Sequence, residues 1–154
     1  MRTVLNCPIA PFLPQTGRMC LLETAVEGDE TGFVAETTIR DDHLFHDGAG
    51  VGAWVGMELM AQCVAAWAGW RAQMQGGEPP VGFLLGTRAY QCTRPAFLTG
   101  DTLRIESVCD YRADNGLGKF DCTIAVAGET VASASLTVFE PADAAAYVKD
   151  SSHV

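Results

Sequence analysis

One long apolar stretch, residues 52–73, constrains the fold of this chain more than any other feature. It is rich in Ala, Met and Leu, contains no proline, and carries apolar residues on nearly every face at helical spacing. A helix that is apolar all round is either buried on all sides or crosses a membrane. Because Glu58 and Gln62 interrupt the run, it is too short for a bilayer span, and we expect a helix wrapped by a small domain.

Glu58 and Gln62 are the strongly polar side chains of this helix before Arg71. They lie four residues apart, so they share one face and can touch. A buried carboxylate is costly unless it is paired, hydrogen-bonded or protonated. Two interpretations stay open. Glu58 is an acid or base on the wall of a substrate pocket, or it is a structural group that pairs with an arginine or bonds at a subunit interface.

The segments around the helix are typical of β-strands. Two strands at 19–26 and 32–39 are expected to form a hairpin, and four more follow the helix at 81–91, 101–112, 118–126 and 129–139. The sequence Asp114-Asn115-Gly116 and Gly128 mark hairpin turns, and 76–80 is a turn after the helix. Residues 1–18 are expected to be irregular because of their prolines, apart from a short turn or helix near 9–13. This order predicts an α+β domain in which a meander of antiparallel strands wraps one helix.

The 154 residues are expected to form a single domain, with a core at about 10–140 and a poorly ordered tail at 141–154. One sheet around one helix leaves an edge strand and part of the helix uncovered. A homodimer or higher homo-oligomer that joins two sheets edge to edge would cover both, and we expect such an assembly.

Charge and cysteine usage narrow the classes of function. A net charge of −9 argues against nucleic-acid binding, since the phosphates would be repelled. The six cysteines form no C-x-x-C pair, so a zinc site is not expected, and they suit small apolar core positions in a reducing compartment. The start of the chain does not resemble a signal peptide. We therefore expect a cytoplasmic protein with no membrane span and no metal or redox cofactor.

The loop at 40–52 brings ionisable residues to the start of the helix, namely Asp41, Asp42, His43, His46 and Asp47. Such a cluster is either a site at the mouth of the helix or a solvated surface loop. His46 follows Phe45, which favours a partly apolar surrounding for its imidazole.

Three motifs resemble the 3-hydroxyacyl-acyl-carrier-protein dehydratases, which have the hotdog fold. The sequence ELMAQ at 58–62 matches their E-x-M-A-Q signature, TRPAFLTGDTL at 93–103 matches R-x-P-V-x-P-G-D-x-L, and LPQTGRMCLL at 13–22 matches the opening L-P-H-x-x-P-F-L-L. The similarity covers about residues 10–140 and is greatest to the small dehydratase-like proteins of aryl-polyene pigment gene clusters. It implies an antiparallel sheet wrapped around one central helix and a dimer of hotdogs.

The resemblance also implies a pair of catalytic residues. In that family a histidine before the helix and a carboxylate on the helix face each other across a dimer interface, which would be His46 and Glu58 here. The H-F-P-G-x-P motif of the family is replaced by HDGAG at 46–50, and Gln15 replaces the opening histidine. His43 is an alternative base, and a third possibility is that the catalytic histidine is absent.

The mechanism that follows is the dehydration of a 3-hydroxyacyl thioester to a trans-2-enoyl thioester. His46 would remove the C2 proton, Glu58 would protonate the departing hydroxyl, and Gln62 would orient Glu58. The backbone N–H of Ala53, with that of Gly52, would stabilise enolate charge at the helix start.

The carrier would be an acyl carrier protein or coenzyme A. Gly86 either lets a pantetheine arm approach the backbone or marks a bulge. Arg88 and Arg94, with Arg71 at the end of the helix, would form a basic patch for these anionic carriers, or they are ordinary solvated charges.

Other activities fit the same residues. A hotdog thioesterase uses a helix carboxylate with water and needs no paired histidine. Asp41 and His46 have the D-x4-H spacing of certain hydratases. A protein that has lost its histidine could also be a non-catalytic subunit that binds acyl chains or pairs with an active dehydratase.

Overall fold

The computed structural model describes residues 2–77 and 83–140, in which nine strands surround one helix. The elements are β1 (Thr3–Pro8), β2 (Thr24–Gly28), β3 (Gly32–Thr38), β4 (Gly50–Gly52), α1 (Val55–Met74), β5 (Phe83–Cys92), β6 (Ala96–Leu98), β7 (Thr102–Arg112), β8 (Leu117–Val126) and β9 (Glu129–Phe139). Short 3-10 helices lie at Ala10–Phe12 and Gly17–Met19. The predicted tail at 141–154 and part of the predicted turn at 76–80 lie outside the described residues.

Seven strands form one antiparallel sheet in the order β1-β2-β3-β7-β8-β9-β5, and β4 pairs with β6 in a small second sheet. The α+β class is confirmed, and so are the hairpins β2–β3, β7–β8 and β8–β9. The turns fall where the sequence placed them. Gly116 and Gly128 have φ of 96° and 83°, a region that glycine enters without steric cost.

The simple meander was wrong in one respect. β5, which follows the helix, pairs with β9 at the far edge of the sheet, and β3 pairs with β7 instead. A helix of 20 residues is about 30 Å long, so α1 carries the chain across the sheet before β5 begins. The strand next to the helix in sequence therefore becomes an edge strand.

The N-terminal region also departs from expectation. Residues 3–8 form the edge strand β1, which pairs with β2. A proline is tolerated in such a strand because Pro8 is its last residue and the strand lies at the edge of the sheet. A bulge separates Val4 from Cys7. The strand predicted to begin at residue 19 begins instead at Thr24. Leu21 donates its N–H to the side chain of Gln62 and so leaves the ladder.

Helix α1 packs on the sheet, with Leu59, Met60 and Cys63 fully buried. Its composition had suggested a helix that is covered on all sides, but one side is only partly covered. A stripe of half-buried residues runs along one side, namely Glu58, Ala61, Ala65 and Ala68. A single sheet and the segment at 9–22 cover the other faces and leave this stripe beside an open space. Among the described residues no helix is long and apolar enough to span a membrane.

Close packing of the helix on the first 3-10 helix depends on Gly69. A Cβ at this position would overlap the carbonyl oxygen and backbone of Phe12. We expect Gly69→Ala to lower the free energy of unfolding by about 1–3 kcal/mol, because the backbone of 10–12 must shift. The measurement is urea denaturation.

Gly86→Ala is the matched control, since a Cβ there meets nothing within 4 Å. It should change the free energy of unfolding by no more than about 0.5 kcal/mol. Equal effects of the two substitutions would contradict the packing role of Gly69.

Candidate active site

The side-chain amide of Gln62 organises the candidate site. It is fully buried, and both of its ends are bonded. Its Oε1 accepts the N–H of Leu21 at 2.8 Å, while Nε2 donates to the carbonyl of Met19 at 2.8 Å and to Oε1 of Glu58 at 3.1 Å. The contact expected from the four-residue spacing is therefore present. Gln62 fixes the carboxylate of Glu58 and also ties the segment before β2 to the helix.

Glu58 faces a cavity of about 200 Å³ instead of being buried in the core. The residues that line this cavity are Pro14, Gln15, Glu58, Ala61, Val64, Ala65, Ala68, Leu84 and Val138. Apart from Glu58 and Gln15, these side chains are apolar. Leu84 and Val138 belong to β5 and β9, so the cavity lies between the helix and the edge of the sheet. An apolar space with a few polar groups is the usual form of a small-molecule site.

The backbone at the helix start is fixed by bonds to Ala53. Its N–H donates to the carbonyl of Pro95 at 3.0 Å, and its carbonyl accepts the N–H of Gly56 at 3.0 Å and the hydroxyl of Tyr90. The N–H that the sequence assigned as an oxyanion donor is therefore occupied. The first amides of a helix have no intrahelical partner, and no described residue accepts the N–H of Trp54 or Val55.

Gly52 lies in β4 opposite Ala96. A Cβ on it would come within 2.5 Å of the indole Nε1 of Trp54, so a larger residue would displace this ring. The glycine thus shapes the helix start by its small size.

His46 is bonded at both ring nitrogens. Its Nδ1 accepts the N–H of Gly48 at 3.1 Å, which places the proton of the neutral ring on Nε2. Nε2 lies 2.7 Å from the hydroxyl oxygen of Thr99, and this hydroxyl donates to the carbonyl of Ala49 at 3.0 Å. The imidazole closes a local network between its loop and the end of β6. His46 does not line the cavity that Glu58 lines.

His43 points into a different environment. Its Nδ1 accepts the N–H of Phe45 at 3.1 Å, and its Nε2 is buried without a hydrogen-bond partner. Burial lowers the pKa of His43, the nearby His46 lowers it further, and Asp42 acts in the opposite direction. The cavity beside His43 contains Arg18 and Arg40 but not Glu58.

The residues assigned to carrier binding differ in their surroundings. Gly86 is exposed, and a bulge lies between Leu84 and Gly86. A bulge was one of the two interpretations of this glycine. Arg94 pairs with Asp101 at 3.4 Å, and the guanidinium of Arg71 lies over the ring of Trp67. Arg88 is exposed on β5, and among the described residues no ion pair engages it.

The structure thus brings Glu58, Gln62 and Gln15 to one place and leaves His46 and His43 elsewhere. Sequence reasoning did not find Tyr90 at the helix start, because nothing near it in sequence signals a contact 37 residues away. It noticed Gln15 only as a replacement for a family histidine.

Comparison with known proteins gives a family. The model of the ApeP-like family, described as ApeP dehydratase, matches residues 7–149. None of the curated proteins compared with this chain matches it.

Solved structures share the fold. The dehydratase heterocomplex ApeI:P from Xenorhabdus doucetiae is 24% identical, with a TM-score of 0.86 over 94% of this chain and 97% of the other. A hypothetical thioesterase protein with coenzyme A from Streptococcus pneumoniae TIGR4 is 16% identical, with a TM-score of 0.56 over 72% and 79%. The E. coli PaaI protein from the phenylacetic acid degradation operon is 17% identical, with a TM-score of 0.58 over 75% and 77%. The hotdog fold expected from the sequence is confirmed.

Removal of the Tyr90 hydroxyl tests how firmly the helix start is held. We expect Tyr90→Phe to lower the free energy of unfolding by about 1 kcal/mol, because the carbonyl of Ala53 loses one of the two groups that donate a hydrogen bond to it. Tyr111→Phe, at an exposed tyrosine of β7, is the control and should have almost no effect in the same urea titration. A Tyr90→Phe protein as stable as the wild type would contradict this role.

The pKa of His43 gives a second test. We expect its imidazole to titrate below the ordinary value of 6.5, because burial disfavours the charged form. The stability linked to His43 is then present at neutral pH and lost as the pH falls through the pKa of the folded protein. The measurement is an NMR titration, with the His43 signal identified by its absence in His43→Asn. A midpoint at or above 6.5 would contradict this surrounding.

Proposed function

Since this chain belongs to the ApeP-like dehydratase family, we propose that it supplies the acid half of a composite site that dehydrates 3-hydroxyacyl thioesters. The substrate is an acyl chain on an acyl carrier protein, the product is the trans-2-enoyl thioester, and the setting is aryl-polyene biosynthesis. The observation that carries the proposal is the carboxylate of Glu58, which Gln62 holds at the wall of an apolar cavity.

Dehydration requires an acid at the C3 oxygen and a base at C2. Glu58 has the position of the acid, because it lines a cavity whose other lining side chains, apart from Gln15, are apolar. Gln62 donates to one oxygen of Glu58, which leaves the other oxygen for the proton that the leaving hydroxyl receives. The stripe Ala61, Ala65 and Ala68 leaves room for an extended acyl chain along the helix.

The base is proposed to come from a partner subunit. Both nitrogens of His46 are engaged, one by Gly48 of its own loop and one by Thr99 at the end of β6, so this ring has no free lone pair with which to take a proton. One solved structure that resembles this chain over nearly its whole length is the dehydratase heterocomplex ApeI:P. A subunit of the ApeI type that carries a free histidine would complete the site.

The position of the cavity supports assembly along β5. This strand is an edge of the seven-stranded sheet, and its residues Leu84 and Leu85 are 43% and 53% exposed. An edge strand can pair with a strand of another chain. Because Leu84 also lines the cavity, a partner docked on β5 would lie next to Glu58. A second copy of this chain could dock in the same way.

Two further groups have proposed roles. The amides of Trp54 and Val55, in place of Ala53, would stabilise enolate charge on the thioester oxygen. Arg88 on the exposed side of β5 would contact the phosphate of the pantetheine arm, whether an acyl carrier protein or coenzyme A bears it.

Acyl thioester hydrolysis is the second candidate. It is favoured by one observation, namely that neither described histidine lines the cavity with Glu58. Glu58 would then activate water in place of protonating a hydroxyl. Hydrolysis releases a free thiol and forms no double bond, so the two reactions are distinguished by their products.

The decisive experiment measures enoyl product and free thiol in parallel, from a 3-hydroxyacyl thioester on acyl carrier protein and on coenzyme A. The chain is tested alone and together with an ApeI-type subunit. We expect enoyl formation by the complex and a loss of about 100-fold or more in Glu58→Gln, which cannot donate the proton. Glu129→Gln, at an exposed glutamate of β9, is the control and should keep full activity.

His46→Asn tests whether the base comes from this chain or from the partner. The side-chain amide of the asparagine can still accept the N–H of Gly48, so the loop keeps this hydrogen bond while the imidazole is removed. It should retain most of the activity of the complex. Activity lost in His46→Asn and kept in Glu58→Gln would contradict the assignment. Free thiol without enoyl product would favour the thioesterase, and full activity of the chain alone would favour a site formed by two copies of it.

A further inference from the structure

An unsatisfied acceptor lies in the same cavity as Glu58. The side-chain carbonyl oxygen of Gln15 is buried, and no described group donates a hydrogen bond to it. Gln15 and Glu58 both line the cavity, whose other lining side chains are apolar. A buried acceptor without a donor is rare in folded proteins, because its lost hydration is not replaced.

The described neighbours offer no donor for this oxygen. Both amide hydrogens of Gln62 are used, by the carbonyl of Met19 and by Glu58. An ionised Glu58 only accepts hydrogen bonds, and a protonated Glu58 needs its one proton for the leaving hydroxyl of the proposed reaction. A donor that satisfies Gln15 therefore has to come from whatever occupies the cavity.

The place of Gln15 is well defined by its neighbours. It follows the buried residues Phe12 and Leu13 and precedes the 3-10 helix Gly17–Met19. The end of this segment is tied to the helix by the same Gln62 that holds Glu58. The amide of Gln62 thus holds both Glu58 and the end of the segment that carries Gln15.

We infer that the carbonyl oxygen of Gln15 accepts a hydrogen bond from the C3 hydroxyl of the substrate, an inference that rests on the proposed function. The hydroxyl oxygen then turns a lone pair toward Glu58. Glu58 transfers its proton to that oxygen, the C3–O bond breaks with its electron pair on oxygen, and the base takes the C2 proton as the C2–C3 double bond forms. The departing water still donates one hydrogen to Gln15.

This role makes Gln15 a residue that distinguishes a hydroxylated acyl chain from a reduced one. A saturated acyl chain has no donor at C3 and would leave the carbonyl unsatisfied. A site that provides a hydrogen-bond partner for a hydroxyl discriminates strongly against an analogue that lacks it. The enoyl product lacks the hydroxyl too, so the same contact would favour its release.

The test uses binding, so that it does not depend on turnover. The probe is a 3-hydroxy-2,2-dimethylacyl pantetheine thioester, which has no C2 proton and cannot be dehydrated, and its partner is the same thioester without the hydroxyl. Both are titrated by calorimetry against the complex with an ApeI-type subunit. We expect the hydroxylated probe to bind about tenfold more tightly to the wild type.

In Gln15→Met, which has a similar shape but no carbonyl acceptor, this preference should fall to about twofold or less, with the deoxy probe bound as before. Thr16→Val, at the exposed neighbouring residue, should keep the full preference. In parallel, kcat/KM for the natural type of substrate should fall about tenfold in Gln15→Met.

A preference that is unchanged in Gln15→Met would overturn the inference and leave the proposed function in place. Equal weakening of both probes would also overturn it, since Gln15 would then only shape the cavity. Failure of the wild type to bind either probe would remove the cavity as an acyl site and with it the proposed function.

Discussion

The buried amide of Gln62 is the interaction on which the site depends. It has no contact with solvent and makes three hydrogen bonds, to two backbone groups of the segment 19–21 and to Glu58. A buried polar group that loses its partner costs about 1–3 kcal/mol, so this arrangement strongly favours one geometry. The helix, the N-terminal segment and the carboxylate are therefore positioned together.

Those parts of the molecule that local sequence determines could be predicted. The helix follows from its composition, and the hairpins at 114–116 and at Gly128 follow from residues that favour tight turns. The contact between Glu58 and Gln62 follows from helical geometry alone. The hotdog fold came from three short motifs, each of them continuous in the sequence.

Features that depend on contacts between distant segments could not be predicted in this way. The edge position of β5 reflects where the helix delivers the chain, and β1 is a strand because an edge is available beside β2. The engagement of His46 depends on Thr99, 53 residues away, and that of the Ala53 N–H depends on Pro95. A residue type can suggest a catalytic role, but only its neighbours decide whether its atoms are free.

The hydroxyl of Tyr90 joins the edge strand to the peptide that precedes the helix. Residue 56 is a glycine, and any larger side chain there would take the space of this hydroxyl. The outer strand and the first turn of the helix are thus mechanically connected. A displacement of β5 on its outer side would pull on Ala53 and tilt the amides that follow it, so the partner proposed to dock on β5 would also change the alignment of the helix start.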